Sequence, residues 1–135
     1  MSRREEREQA FALLFERLLH REPMAELIDG AGLARDFVLG DFTRQIVFGV
    51  EEQEDSINQI IESHITGWTL NRLSKVTVAL LQLAIFEIEY IQEIPYKVSI
   101  NEAVELAKEY GGKEDAPFIN GVLGSVVKDR EQDNG

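Results

Sequence analysis

Few side chains in this sequence are suited to nucleophilic or metal chemistry. It has no cysteine and two histidines, which excludes disulfides, thiolate metal sites and a cysteine nucleophile. His20 and His64 fall on different expected helices without a third ligand at a recognisable spacing, so no metal site and no cofactor are expected. Ser125 in Gly121-Val122-Leu123-Gly124-Ser125 is not a nucleophile elbow, because the serine follows the second glycine and no strand precedes it. Gly111-Gly112-Lys113 lacks the upstream glycine of a phosphate loop, and Glu114 stands where a hydroxyl residue should follow the lysine. It reads as a helix terminator. What remains is electrostatic. Glu87 directly follows an apolar run and reads as a partly buried acid beside Arg72 or another cation, functional only if it faces a cleft. Arg3, Arg4 and Arg7 alternate with Glu5, Glu6 and Glu8, which suits either a phosphate-binding group or a row of pairs on a solvated helix. No enzymatic activity is expected from this set.

The chain that must position these groups has 135 residues, 44% of them hydrophobic and 29% charged, enough for one domain with one buried core. The formal charge of -11 repels phosphate at long range. A local arginine cluster can still dominate within a Debye length of about 8 Å. The start, Met-Ser-Arg-Arg-Glu-Glu-Arg, has no apolar signal region. The longest apolar run, Val76 to Phe86, is far short of the ~20 residues of a membrane span. A cytoplasmic chain without membrane contact is expected.

Helical periodicity runs through the whole sequence. Phe11, Leu14, Phe15 and Leu18 form the stripe of a first amphipathic helix that also carries Arg17. Met24, Leu27 and Ile28 suggest a brief helix after Pro23 that stops before Gly30 and Gly32. Phe42, Ile46, Val50, Ile57, Ile61 and Ile65 predict one long helix, with Glu51, Glu52, Glu54 and Asp55 on a solvated face. Gly67 and Trp68 break it, and Thr69 is expected to cap a short turn through Leu73. The run from Val76 to Phe86 has nine apolar residues in eleven and must be the central, enclosed helix. Pro95 ends it, and Ser99-Ile100-Asn101-Glu102 has the form of a capping box that opens a helix ending at Gly111-Gly112. A last helix starts near Asp115 to Pro117 and is expected to fray from Lys128. The fold class is all-α, about seven helices in two small packed bundles, with subdomains at about 1–66 and 67–130 of a single domain.

Four segments in order spell out a family pattern: Trp68-x3-Arg72-Leu73; Val78-x-Leu80-Leu81-x-Leu83-Ala84-x-Phe86-Glu87; Ile94-Pro95-Tyr96-Lys97-Val98-Ser99-Ile100-Asn101-Glu102-Ala103; and Phe118-Ile119-Asn120-Gly121-Val122-Leu123. With a looser match over residues 4 to 15, the chain resembles the NusB family of transcription antitermination factors from Arg3 to about Lys128. The resemblance implies a non-catalytic RNA-binding domain. It would pair with NusE, a small-subunit ribosomal protein, recognise single-stranded boxA RNA of ribosomal RNA transcripts, and join an antitermination complex on RNA polymerase. It also implies Arg3, Arg4 and Arg7 as phosphate contacts, Phe15 as a stacking or packing surface and Glu87 as an acceptor for base amino groups. Asn120, Gly121 and Gly124 would belong to the partner-facing surface. Three positions depart from the pattern: Glu5 and Glu6 dilute the basic run, Phe15 replaces a tyrosine, and Gly124 stands where an acid is familiar. Two other readings are an RNA-positioning module serving a separate RNA methyltransferase and a structural homodimer formed by the unpaired chain through exposed apolar patches.

Overall fold

The computed structural model describes residues 1–34 and 37–134, which form seven α-helices, a short 3-10 helix and no strand. The first helix, α1 (Arg3–His20), opens on a complete capping box. The Ser2 hydroxyl accepts from the Glu5 amide at 3.1 Å, and the Glu5 carboxylate accepts from the Ser2 amide at 2.9 Å. It ends where Arg21 turns left-handed at φ 58°.

The next helix, α2 (Met24–Ala34), runs through Gly30 and so past the stop expected there. A mid-helix glycine costs about 1 kcal/mol relative to alanine. Burial of Met24 and Leu27, together with the Met24 amide held by the Glu51 carboxylate at 2.8 Å, outweighs it.

The single long helix predicted from Asp41 is two, α3 (Asp41–Glu52) and α4 (Glu54–Ser63), broken at Gln53 with φ -105° and ψ 20°. On either side of the break Glu51 and Glu54 converge on Arg17 at 3.2 and 2.7 Å. The acidic segment read as a solvated face is thus partly a docking site for α1. In the 3-10 helix at Leu70–Arg72, Thr69 occupies the cap position, but its hydroxyl donates to the Asn71 side chain at 2.6 Å and caps no amide.

The central helix is α5 (Lys75–Tyr90). Ser74 caps it, and every residue from Thr77 to Ile88 is buried, as a helix apolar nearly all round requires. It packs against α1, α3 and α4 on one side and against α6 (Tyr96–Tyr110) and α7 (Asp115–Asn134) on the other. The two small bundles share this helix and one continuous core. Gly49 of α3 lies against the Phe86 ring of α5, so closely that a Cβ there would overlap it.

Two further boundaries differ from expectation. α6 begins directly after Pro95, so Ser99 lies inside the helix, buried, and is not its cap. Pro95 fixes the backbone before the first turn, and Ser99 turns to the interior. α7 stays helical to Asn134, beyond the fraying expected from Lys128. Arg130 holds these last turns, reaching Glu89 of α5 at 2.6 Å and the Tyr96 hydroxyl of α6 at 3.1 Å.

Candidate nucleic-acid interface

The amino-terminal turns of α1 carry three arginines on two different faces. Arg3 is exposed, its guanidinium 3.9 Å from the centroid of the Phe42 ring of α3. Arg4 is also exposed and forks onto Glu102 of α6 at 3.1 and 3.2 Å, a surface pair that water screens. Hydrogen bonding to the Glu102 carboxylate raises its pKa above the ordinary arginine value.

Arg7, one turn after Arg3 and 5.2 Å from the centroid of the same Phe42 ring, is enclosed. It is 3% exposed and Glu87 is 0% exposed. Two parallel hydrogen bonds, Nε to Oε2 at 2.9 Å and Nη2 to Oε1 at 2.8 Å, join them. Ser99 donates a third to the same carboxylate at 2.8 Å. Arg7 and Glu87, expected to meet phosphate and base amino groups, are thus enclosed and paired with each other in this structure, where neither is presented at the surface. Bidentate geometry and a third donor are what a buried ion pair needs to offset its desolvation. Of the cations expected beside Glu87, Arg72 or another, the structure supplies another: Arg72 is exposed in the 3-10 helix. The group that joins Glu87 comes from 80 residues upstream and ties α1, α5 and α6 at one point.

Phe15 is half-buried, packed on the core, with its ring 6.2 Å from Phe11. Phe11 in turn lies 5.2 Å from the ring of Tyr110, at the end of α6. Tyr110 is exposed, and its hydroxyl donates to Glu8 at 3.1 Å; that bond raises the pKa of the phenol. Asn120, Gly121 and Gly124 lie at helical spacing on an exposed face of α7. A Cβ added at either glycine would meet nothing within 4 Å. These three sit on a different helix from Arg3, Arg4 and Phe15, and α5 supports both sets.

With this geometry in place, comparison with known proteins settles the family. The model of the NusB family matches residues 4–128. The chain belongs to the NusB family. It is 38% identical to the transcription antitermination protein NusB of Clostridium novyi (strain NT), over 95% of this chain and 99% of that one. Among solved structures it resembles T. maritima NusB with a TM-score of 0.85 at 31% identity, covering 95% of this chain and 92% of that one. It also matches a chain in the crystal structure of the antitermination factors NusB and NusE in complex with dsRNA, with a TM-score of 0.82 at 25% identity over 95% and 98% of the two chains.

Two further exposed groups belong to this NusB-family surface. Arg44 of α3 is exposed, 5.8 Å from the centroid of the Phe48 ring. Tyr110 is the last residue of α6. Neither has a distinguishing signal in the sequence, because the fold supplies what each stands beside. Among the described residues no three His, Asp or Glu side chains converge as a metal set, and no helix is long and apolar enough to cross a membrane.

Proposed function

We propose that this protein is an RNA-binding adaptor in transcription antitermination, acting in the cytoplasm without catalysis of its own. On this reading it binds single-stranded boxA RNA of ribosomal RNA transcripts together with NusE, within an antitermination complex on RNA polymerase. The observation that carries the reading is the near full-length similarity to a NusB chain solved with NusE and dsRNA, joined to relatives named for transcription antitermination.

Single-stranded RNA needs cations for phosphates and flat surfaces for bases. Arg3 and Arg4 are the phosphate contacts in this proposal, and Phe15 with Tyr110 the aromatic surface. Arg7 and Glu87 act one step back, holding α1 against α5 and α6 so that Arg3 and Arg4 are presented outward. Asn120, Gly121 and Gly124 form the NusE-facing surface, where the missing side chains at the two glycines allow close approach. The charge of -11 fits a basic partner: it speeds their association, and the partner contributes cations for RNA that this chain lacks.

Fluorescence anisotropy of a labelled boxA RNA, titrated with this protein alone and with NusE beside a scrambled RNA, tests the proposal. The expected result is sequence-specific binding that strengthens at least about tenfold with NusE, about 1.4 kcal/mol. Equal affinity for boxA and scrambled RNA under both conditions refutes it.

A further inference from the structure

The acids that interrupt the arginines at the start of α1 are each bonded elsewhere. Glu5 accepts from the Ser2 amide ahead of its own helix, and Glu8 from the Tyr110 hydroxyl of α6. Glu6 crosses to α3. Its Oε1 accepts from the Phe42 amide at 3.0 Å, and its backbone carbonyl accepts from the Thr43 hydroxyl at 2.9 Å. Gly40 stands at the cap position of α3 and has no side chain to offer. Glu6 therefore supplies, from another helix, the acceptor that a first-turn amide needs, and its charge meets the positive end of the α3 dipole. Gly40 has an ordinary φ of -68°, so backbone conformation does not call for glycine. Space does, because a Cβ there would overlap the Glu6 carboxylate. Gln9, one turn further along α1, closes the seat by accepting from the Gly40 amide at 3.0 Å and donating to the Val38 carbonyl at 2.8 Å.

Phe42 is also the ring on which the exposed Arg3 guanidinium rests, 3.9 Å from its centroid. The ring itself is 5% exposed, so whatever fixes the first turn of α3 fixes the support beneath Arg3. We propose that Glu6 is the positioning residue of Arg3: by capping α3 from α1, its carboxylate holds the Phe42 ring where Arg3 lies on it and turns its donors to an RNA phosphate. The inference rests on the RNA-binding reading above and deepens it. A guanidinium already resting on a ring has less rotamer freedom to lose when a phosphate arrives, and its donors stay in a fixed fork. Arg4 is held differently, by the Glu102 carboxylate. Positioning and charge repulsion have opposite signs. An acid that merely stands beside an RNA site weakens binding, and its removal strengthens it. Removal of an acid that positions a phosphate contact weakens binding instead.

Two measurements on the full chain test this. The first, without RNA, is the ¹H–¹³C NMR spectrum of the Arg3 side chain, whose methylenes carry a ring-current shift from Phe42. Glu6→Ala should remove that shift, and Glu6→Gln, which keeps an oxygen acceptor, should retain most of it. The second is anisotropy of the labelled boxA RNA with NusE present. Glu6→Ala should weaken binding about threefold although it makes the chain less acidic. Glu6→Gln should bind at least as tightly as the unaltered chain, and Glu6→Ala should cause no further loss in an Arg3→Ala background. Gly40→Ala, which displaces the carboxylate without a change of charge, should reproduce the loss, and it carries the comparison if Glu6→Ala does not fold. The inference is overturned by an Arg3 ring-current shift that survives Glu6→Ala, by tighter RNA binding in that variant, or by an equal loss with and without Arg3. Failure of the unaltered chain to bind RNA overturns the RNA reading and the role of Arg3 within it. The ring-current shift, measured without RNA, tells that outcome apart from a failure of the positioning.

Discussion

Replacing Glu87 by alanine tests whether the Arg7 and Glu87 pair is structural. The change leaves the Arg7 guanidinium, 3% exposed, inside the protein without its counter-charge, and leaves the Ser99 hydroxyl without its acceptor. Removing one partner of a buried ion pair typically costs about 3–5 kcal/mol, because the remaining charge stays desolvated. In a chain of this size that corresponds to a fall in Tm on the order of 11–18 °C. Urea unfolding followed by circular dichroism measures it directly. Glu87→Gln, which keeps an acceptor and the shape, should lose less than Glu87→Ala. The double variant Arg7→Met/Glu87→Leu, which removes both charges at similar volume, should recover much of the loss. A loss below about 1 kcal/mol in Glu87→Ala, or a double variant as unstable as the sum of the single ones, would refute the structural role. RNA affinity separates the alternatives further. If the carboxylate met a base directly, Glu87→Gln would weaken RNA binding while leaving the melting curve in place; the burial of this group requires that stability change first.

Other consequences can be checked on the same material. Gly49→Ala sets a Cβ into the Phe86 ring, so the ring or the helices that carry it must shift, and urea unfolding should show a loss of about 1–3 kcal/mol. Arg3→Ala and Arg4→Ala should weaken RNA binding across sequences, each reducing the slope of log K against log salt by about 0.7 in anisotropy titrations at several salt concentrations. Ser2→Ala removes the hydroxyl half of the α1 capping box and should cost about 1 kcal/mol by thermal melting. The Glu5 carboxyl is held below its ordinary value of 4.5, chiefly by the Ser2 backbone amide. Because the folded value is the lower one, the stabilisation is present above the unfolded value and is lost as pH falls through the folded value. Amide exchange in the first turn of α1 should therefore accelerate in acid, and Glu5→Gln should remove that pH dependence.

How much of this could be read in advance depends on whether the determining interaction is local. The all-α class, the enclosure of the run from Val76 to Phe86 and the stop at Gly111-Gly112 follow from periodicity and backbone chemistry within a few residues of each site. The quoted segments also carried the family resemblance, because their order and spacing lie in the sequence itself. Tertiary contacts decided the rest. Whether Arg7 faces water or Glu87 could not be seen, since the pairing spans 80 residues and Arg3, Arg4 and Arg7 look alike locally. Ser99 and Glu102 have the form of a capping box, yet the equivalent pattern three residues apart works at Ser2 and Glu5. Pro95 had already started the helix at one site, and interior packing turned Ser99 toward Glu87. The break at Gln53 and the helix through Gly30 likewise reflect what α1 and the core need from those segments, and local propensity is too weak to resist them. Sequence thus determined the all-α class, the central helix and which family pattern the chain follows; the tertiary structure decided where several helices break and which charges lie outside to meet a ligand, because burial is a property of the assembled helices and not of any one of them.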